Sequence, residues 1–181
     1  MKKKIILIII IILFFGNTVY RYHIVNTKYP DKTTIECQQG EWIEFVPGID
    51  IQTRKIQFIS PEETEEMIEQ TEMYSSTAKH KLVDIVIKVK NKTAEEQKVS
   101  FENIQLECGG SSSCIYLTLI NTTTNRYSNL GVTLMPGEER ECIFPVLLAN
   151  STFSNNDWKH LEDKLYWLTF SDYPVKTKLY F

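Results

Sequence analysis

The chain has 181 residues, 43% hydrophobic and 24% charged, with a formal net charge of −3. Lys2, Lys3, Lys4 and Arg21 precede every acidic residue, so the chain beyond them carries 16 basic against 23 acidic side chains, a formal charge of −7. That balance argues against a nucleic-acid or anionic-lipid binder, and only 7 Gly and 6 Pro among abundant Tyr and Phe argue against disorder.

The chain opens with three lysines and an unbroken apolar block, Ile5 to Phe15. This is the pattern of an export or anchoring signal, and the lysines place the N-terminus inside. A cleaved signal peptide needs a small-residue cleavage site, and Gly16-Asn17-Thr18-Val19-Tyr20 offers a poor match at Gly16 and Thr18. An uncleaved anchor over about residues 5–22 fits better, with Tyr20 and Tyr22 at headgroup depth and Arg21 reaching outward. Secretion after cleavage is the alternative. Without a cysteine after the block, lipoprotein anchoring is excluded. Residues 1–25 are read as the signal-anchor, 26–40 as a stalk, and 41–181 as one domain.

Along that domain, Glu41 to Val46 predicts an opening strand closed by Pro47-Gly48, and Ile49 to Ile59 a second strand. Ser60-Pro61-Glu62-Glu63 is a helix start, with Ser60 as N-cap, Pro61 at the first helical position and Glu63 completing a capping box. The six glutamates between Glu62 and Glu72 read as a solvated face, because the interleaved Asp, Asn and Gly of a calcium loop are missing. Lys81 to Lys90 alternates Val83, Ile85, Ile87 and Val89 against polar residues, which predicts a strand ending in the polar turn Asn91 to Glu96. Gln97 to Leu106 predicts another strand, with a bulge between Phe101 and Ile104.

Cys114 to Asn121, Leu130 to Met135 and Arg140 to Leu148 predict three more strands, the last turned in by Pro136-Gly137-Glu138-Glu139. Ser154 predicts a second short helix, capped with Asp157 three residues on and stapled by Phe153 and Trp158. Leu165 to Ser171 and Lys176 to Phe181 finish as strands around Asp172-Tyr173-Pro174. Short strands with one apolar face imply a mainly β, two-layer antiparallel sandwich with two short helices behind a transmembrane or signal helix. Val83, Ile85, Ile87, Val89, Phe101, Leu119, Phe144, Trp158 and Leu168 are the expected core.

Several stretches together resemble a functionally uncharacterised family of small membrane-anchored extracytoplasmic proteins of Gram-positive Firmicutes. They are the Lys-rich anchor with Val25-Asn26 and Tyr29-Pro30, Gly40-Glu41-Trp42, Val83 to Thr93, and Leu134 to Glu139. Phe153 to Asp163, with Trp158, His160, Leu161 and Glu162, and Tyr173-Pro174-Val175-Lys176 are the more specific part. The resemblance implies an immunoglobulin-like sandwich and no assigned activity, so it carries over no functional residues. The four cysteines are not part of the pattern.

Four cysteines allow three pairings. Cys108 and Cys114 bracket Gly109-Gly110-Ser111-Ser112-Ser113 and form the first candidate disulfide; Cys37 and Cys142 form the second by elimination. Against both stands the reading of all four as reduced, buried small hydrophobes. A zinc site is disfavoured, since no paired Cys-x-x-Cys is present. Asn91, Asn121 and Asn150 each open an Asn-x-Ser/Thr triplet and read as ordinary turn residues. No Gly-rich phosphate loop or His-Glu-x-x-His is present.

The expected function is therefore binding without catalysis: an anchored extracytoplasmic interaction module holding an unknown protein or cell-envelope partner, with no cofactor. Tyr116, Tyr127 and Tyr166 are the candidate interaction surface. The alternative is a cell-envelope hydrolase or metal-dependent enzyme using His160 and Asp157, where a capping aspartate and a surface histidine explain the same residues.

Overall fold

The computed structural model describes residues 2–29, 32–71, 78–123, 125–171 and 174–181, and the side chains of these except 2–10. Pro30-Asp31 of the expected stalk, Glu72 of the acidic stretch and Asp172-Tyr173 of the last turn lie outside the described residues.

A long helix, α1 (Lys2–Lys28), comes first. Its side chains from Ile11 to Val25 lie open, Phe14 at 71% and Tyr22 at 68% exposure. Among the described residues no helix is long and apolar enough to cross a membrane.

Eleven strands and three further α-helices follow in the described residues, mostly where turn chemistry and alternation place them. β1 (Thr33–Cys37), β6 (Gln105–Cys108), β7 (Ser111–Cys114), β10 (Trp167–Thr169) and β11 (Val175–Tyr180) form a five-stranded sheet in the order β1-β11-β10-β6-β7. β2 (Ile43–Val46), β3 (Ile49–Phe58), β4 (His80–Asn91) and β9 (Glu139–Ala149) form the second sheet in that order, and β5 (Gln97–Ser100) pairs with β8 (Gly131–Leu134) in a separate ribbon. The architecture is mainly β and sandwich-like.

The apolar faces of the two sheets meet in one core. Ile85, Ile87, Phe144 and Val146 of β4 and β9 lie against Leu106, Leu168 and Leu179, all at most 2% exposed. Each such side chain contributes roughly 2 kcal/mol relative to exposure. The expected core is buried as read, except that Trp158 is only partly buried and packs at the core margin. A second, smaller core lies on the other side of β4, where Leu82 meets Ile59 and Met67 beside α2 (Pro61–Glu69) and Leu119 of α3 (Leu117–Thr122). β4 is thus covered on both faces.

Four local readings change. Residues 33–37, read as stalk, form β1, which pairs in parallel with β11 from Thr33↔Val175 to Cys37↔Leu179. Its sequence, Thr-Thr-Ile-Glu-Cys, is rich in β-branched residues but shows no buried alternation, because an edge strand leaves most of its side chains in solvent. The interruption between Phe101 and Ile104 is a turn rather than a bulge, closed by Ile104 N–H on the Phe101 carbonyl at 3.2 Å, and it moves the chain from the ribbon to the five-stranded sheet.

The loop Gly109 to Ser113 is a hairpin. Gly109 and Gly110 hold φ of 55° and 88°, the positive pair of a two-residue primed turn, and β7 starts at Ser111. Beyond Cys114 the expected strand becomes α3. Ile115 crosses to β9 in a single bridge with Val146, and Tyr116 N–H donates to the Pro145 carbonyl at 2.7 Å. The chain turns helical there, burying Leu119 at 0% and leaving Leu117 49% exposed.

Both expected helix caps form. Ser60 Oγ accepts from Glu63 N–H at 3.2 Å at the start of α2, and Ser154 Oγ from Asp157 N–H at 3.1 Å at the start of α4 (Asn155–Lys159). The Phe153 and Trp158 rings meet beside the latter with centroids 6.2 Å apart, tilted by 42°.

Candidate functional site

Of the three tyrosines read as an interaction surface, Tyr166 is buried, and Tyr116 and Tyr127 are half-buried. Tyr166 is 3% exposed and donates its hydroxyl to the Leu161 carbonyl at 3.0 Å; burial raises its pKa. Tyr127 and Tyr116 pack on the small core under α2 and α3. Tyr127 donates to Asp84 Oδ1 at 3.0 Å, and burial with the adjacent Asp84 charge raises its pKa. The Tyr116 hydroxyl lies 3.3 Å from Thr71 Oγ1. Tyr166 belongs to the main core, while Tyr116 and Tyr127 pack against the smaller one that α2 and α3 cover.

All four cysteines are free. Cys108 pairs with Ser111 and Cys114 with Gln105, so three ladder steps, about 10 Å, separate them, beyond the roughly 4.4–6.8 Å between Cα atoms that a disulfide spans. They also point to opposite faces: Cys108 lies in the core with Leu106, and Cys114 is exposed. Cys37 and Cys142 belong to different sheets, on β1 and β9. Burial raises the pKa of Cys37, Cys108 and Cys142.

His160 caps the end of α4 with its side chain 59% exposed, and its Nδ1 faces Asp163 at 3.4 Å. Asp157 is engaged elsewhere. It accepts from Ser154 Oγ at 2.7 Å and pairs with Lys164, whose ammonium is the main cause of its lowered pKa. Among the described residues no group of His, Cys, Asp and Glu is arranged to hold a metal ion.

The structure instead assembles a polar and aromatic cluster on the outer face of the five-stranded sheet. Register decides its membership. Trp167 of β10 stands between Tyr180 of β11 and Glu107 of β6, while the neighbouring row, Leu168 with Leu106 and Leu179, points into the core. The Trp167 and Tyr180 rings lie 5.8 Å apart, tilted by 59°. Trp167 Nε1 donates to Glu107 Oε2 at 3.0 Å, and Lys176 Nζ reaches both Glu107 oxygens at 2.7 and 2.8 Å. Lys178 Nζ lies 5.0 Å from the centre of the Trp167 ring and 3.0 Å from Glu36 on β1.

Glu107 and Lys176 are each only 14% exposed. Burial works to raise the Glu107 carboxyl pKa, but the Lys176 hydrogen bonds and charge, with the Trp167 N–H, outweigh it and hold it below the usual carboxylate value. On the far side of this pair, Ser112 Oγ donates to Gln105 Oε1 at 2.6 Å. The result is a sheet face with its donors, acceptors and rings fixed in place. The signal for it was in the sequence: the polar partners of Leu168 and Leu179 in the last two strands are Trp167, Lys178 and Tyr180. What the sequence does not reveal is that Glu107 pairs beside them.

Residues 26–177 match a family described as a domain of unknown function, DUF5028. The chain belongs to that family. No curated protein matches it. Among solved structures it is similar to an uncharacterised β-sandwich protein from Clostridium difficile, at TM-score 0.48 and 17% identity over 83% of this chain and 95% of that one. It is also similar to a conserved hypothetical protein from Bacillus anthracis, at TM-score 0.46 and 12% identity over 79% and 94% of the two chains. A functionally unknown protein from Listeria monocytogenes follows at TM-score 0.45 and 10% identity over 72% and 71%. Glu36, Glu107, Trp167 and Lys176 of the Trp167 face lie within the residues that the DUF5028 match spans, and Lys178 and Tyr180 lie just beyond them.

Proposed function

We propose that this DUF5028 protein is a membrane-anchored extracytoplasmic binding module, with an immunoglobulin-like sandwich held outside the membrane by α1 and its N-terminus inside. The observation that carries the reading is the row of apolar side chains on α1. Ile11, Ile12, Leu13, Phe14 and Phe15 are 46–71% exposed, with no part of the sandwich over them. An uncovered apolar helix of this kind calls for a lipid or protein cover. In the sequence the apolar run begins at Ile5, directly after three lysines, and at 27 residues α1 is about 40 Å long against a hydrocarbon core of about 30 Å. Binding rather than catalysis is assigned to the sandwich, because the polar and aromatic cluster around Trp167 lies on a sheet face rather than in a cleft.

Alkaline carbonate extraction of membranes from producing cells tests the anchor. The full chain stays in the pellet, and a chain lacking residues 5–15 leaves it. Full-length protein in the carbonate supernatant would remove the anchor from the account.

A further inference from the structure

We propose that the outer face of the five-stranded sheet, centred on Trp167 and Tyr180, binds a strand of neutral pyranose polysaccharide; this names the ligand class for the binding module and rests on that reading.

The two faces of the sandwich are treated differently. The helices that pack on a sheet, α2 against β4 and α3 against β9, both lie on the four-stranded sheet. Among the described residues no helix packs with comparable extent on the Trp167 face, where Trp167 and Tyr180 are half-buried, and its five strands present a surface about 19 Å across. Pyranose rings offer two things to a protein, a patch of C–H groups and a ring of hydroxyls. The adjacent Trp167 and Tyr180 rings suit the first. Glu107, Lys176 and Gln105 suit the second, being acceptors and donors already held in place by their neighbours, so little side-chain freedom is lost when a ligand arrives.

Charge selects between polymers. The chain beyond the anchor carries −7, yet on this face Lys176 and Lys178 balance Glu107 and Glu36 in two ion pairs. A locally neutral patch on an acidic protein offers nothing to a polyanion, which the rest of the surface repels, and no excess of carboxylates to a polycation. An uncharged glycan fits both the neutrality and the aromatic content.

The test is co-sedimentation of the full-length protein, in detergent micelles, with insoluble chitin and insoluble cellulose at low and high salt. Wild type is expected in the pellet with at least one of the two polymers, equally at both salt levels. Trp167→Ala is expected to weaken binding about tenfold. Tyr180→Ala provides a second loss should Trp167→Ala fail to fold, and Trp158→Phe, outside this face, is expected to bind as wild type does. Wild type that pellets with neither polymer overturns the proposal, as does binding that survives both face substitutions in folded protein, or binding that high salt abolishes. Failure here alongside retention in the carbonate pellet removes the glycan and leaves the anchored module. Release by carbonate with glycan binding intact does the reverse.

Discussion

Arg126 Nη2 donates to Asp84 Oδ2 at 2.9 Å, while its Nη1 bonds Glu63 in the first turn of α2. One guanidinium therefore ties the helix to the second strand-face of β4, and Asp84, with its side chain 11% exposed, depends on it for charge balance. The Tyr127 hydroxyl occupies the other Asp84 oxygen.

Arg126→Ala is expected to destabilise the protein by about 2 kcal/mol, less than for a fully buried pair because the arginine is partly solvated. Urea unfolding reads this directly. An Asp84→Asn, Arg126→Ala double variant should recover part of the loss, since it removes the unpaired carboxylate as well. A single variant as stable as wild type would show that α2 is held by Met67 and Ile68 alone.

Asn91 acts as a second internal fastener. It is 0% exposed, and its Nδ2 donates to the carbonyls of Glu95, Leu134 and Met135 at 2.8–3.1 Å. Its Oδ1 accepts from Thr93 N–H and Oγ1 at 2.9 and 2.7 Å. Asn91→Ala leaves these groups unpaired and is expected to cost about 2–3 kcal/mol, with the urea midpoint lowered and the slope unchanged.

These two residues mark where sequence reading succeeds and where it stops. Strand β4, both capped helices and the Pro136-Gly137 turn rest on contacts within a few residues, and each is legible from spacing and cap chemistry. Asn91 sits in a legible turn, but its burial comes from Leu134 and Met135, more than 40 positions away. Asp84 reads as a solvent-facing residue of an alternating strand until α2 and α3 cover it. The same dependence on distant partners hid the Trp167 face, since Glu107 reaches Trp167 and Lys176 only through the β6–β10–β11 order.

Thiol labelling under native conditions checks the cysteine assignment. Cys114, exposed on an edge strand, is expected to react first with a maleimide, and Cys108 and Cys142 to remain protected, since burial both hides them and disfavours their thiolates. After denaturation without reductant all four should label. Recovery of only two reactive thiols would indicate a disulfide that this geometry does not allow.

Acid stability reports on the Glu107 pair. Its folded-state pKa lies below the ordinary carboxylate value of 4.5, so the unfolded chain takes up the proton first as pH falls. The contribution is complete above that ordinary value and is lost as pH drops through the folded one. Glu107→Gln is expected to flatten part of the fall in stability below about pH 4.5 while leaving a smaller, pH-independent loss from the weakened Lys176 contact. An unchanged acid limb in the variant would mean that Glu107 titrates alike in both states.

Cys114 also offers the most direct measurement of the central claim, that the sandwich stands outside the membrane and stays attached to it. Intact producing cells are treated with a membrane-impermeant maleimide, then lysed and extracted with carbonate. Labelled protein is expected in the carbonate-resistant membrane fraction, with much weaker label in a Cys114→Ser variant, where only the half-buried Cys37 stays within reach. Labelling that requires lysis, or labelled protein found in the medium or the carbonate supernatant, would contradict it.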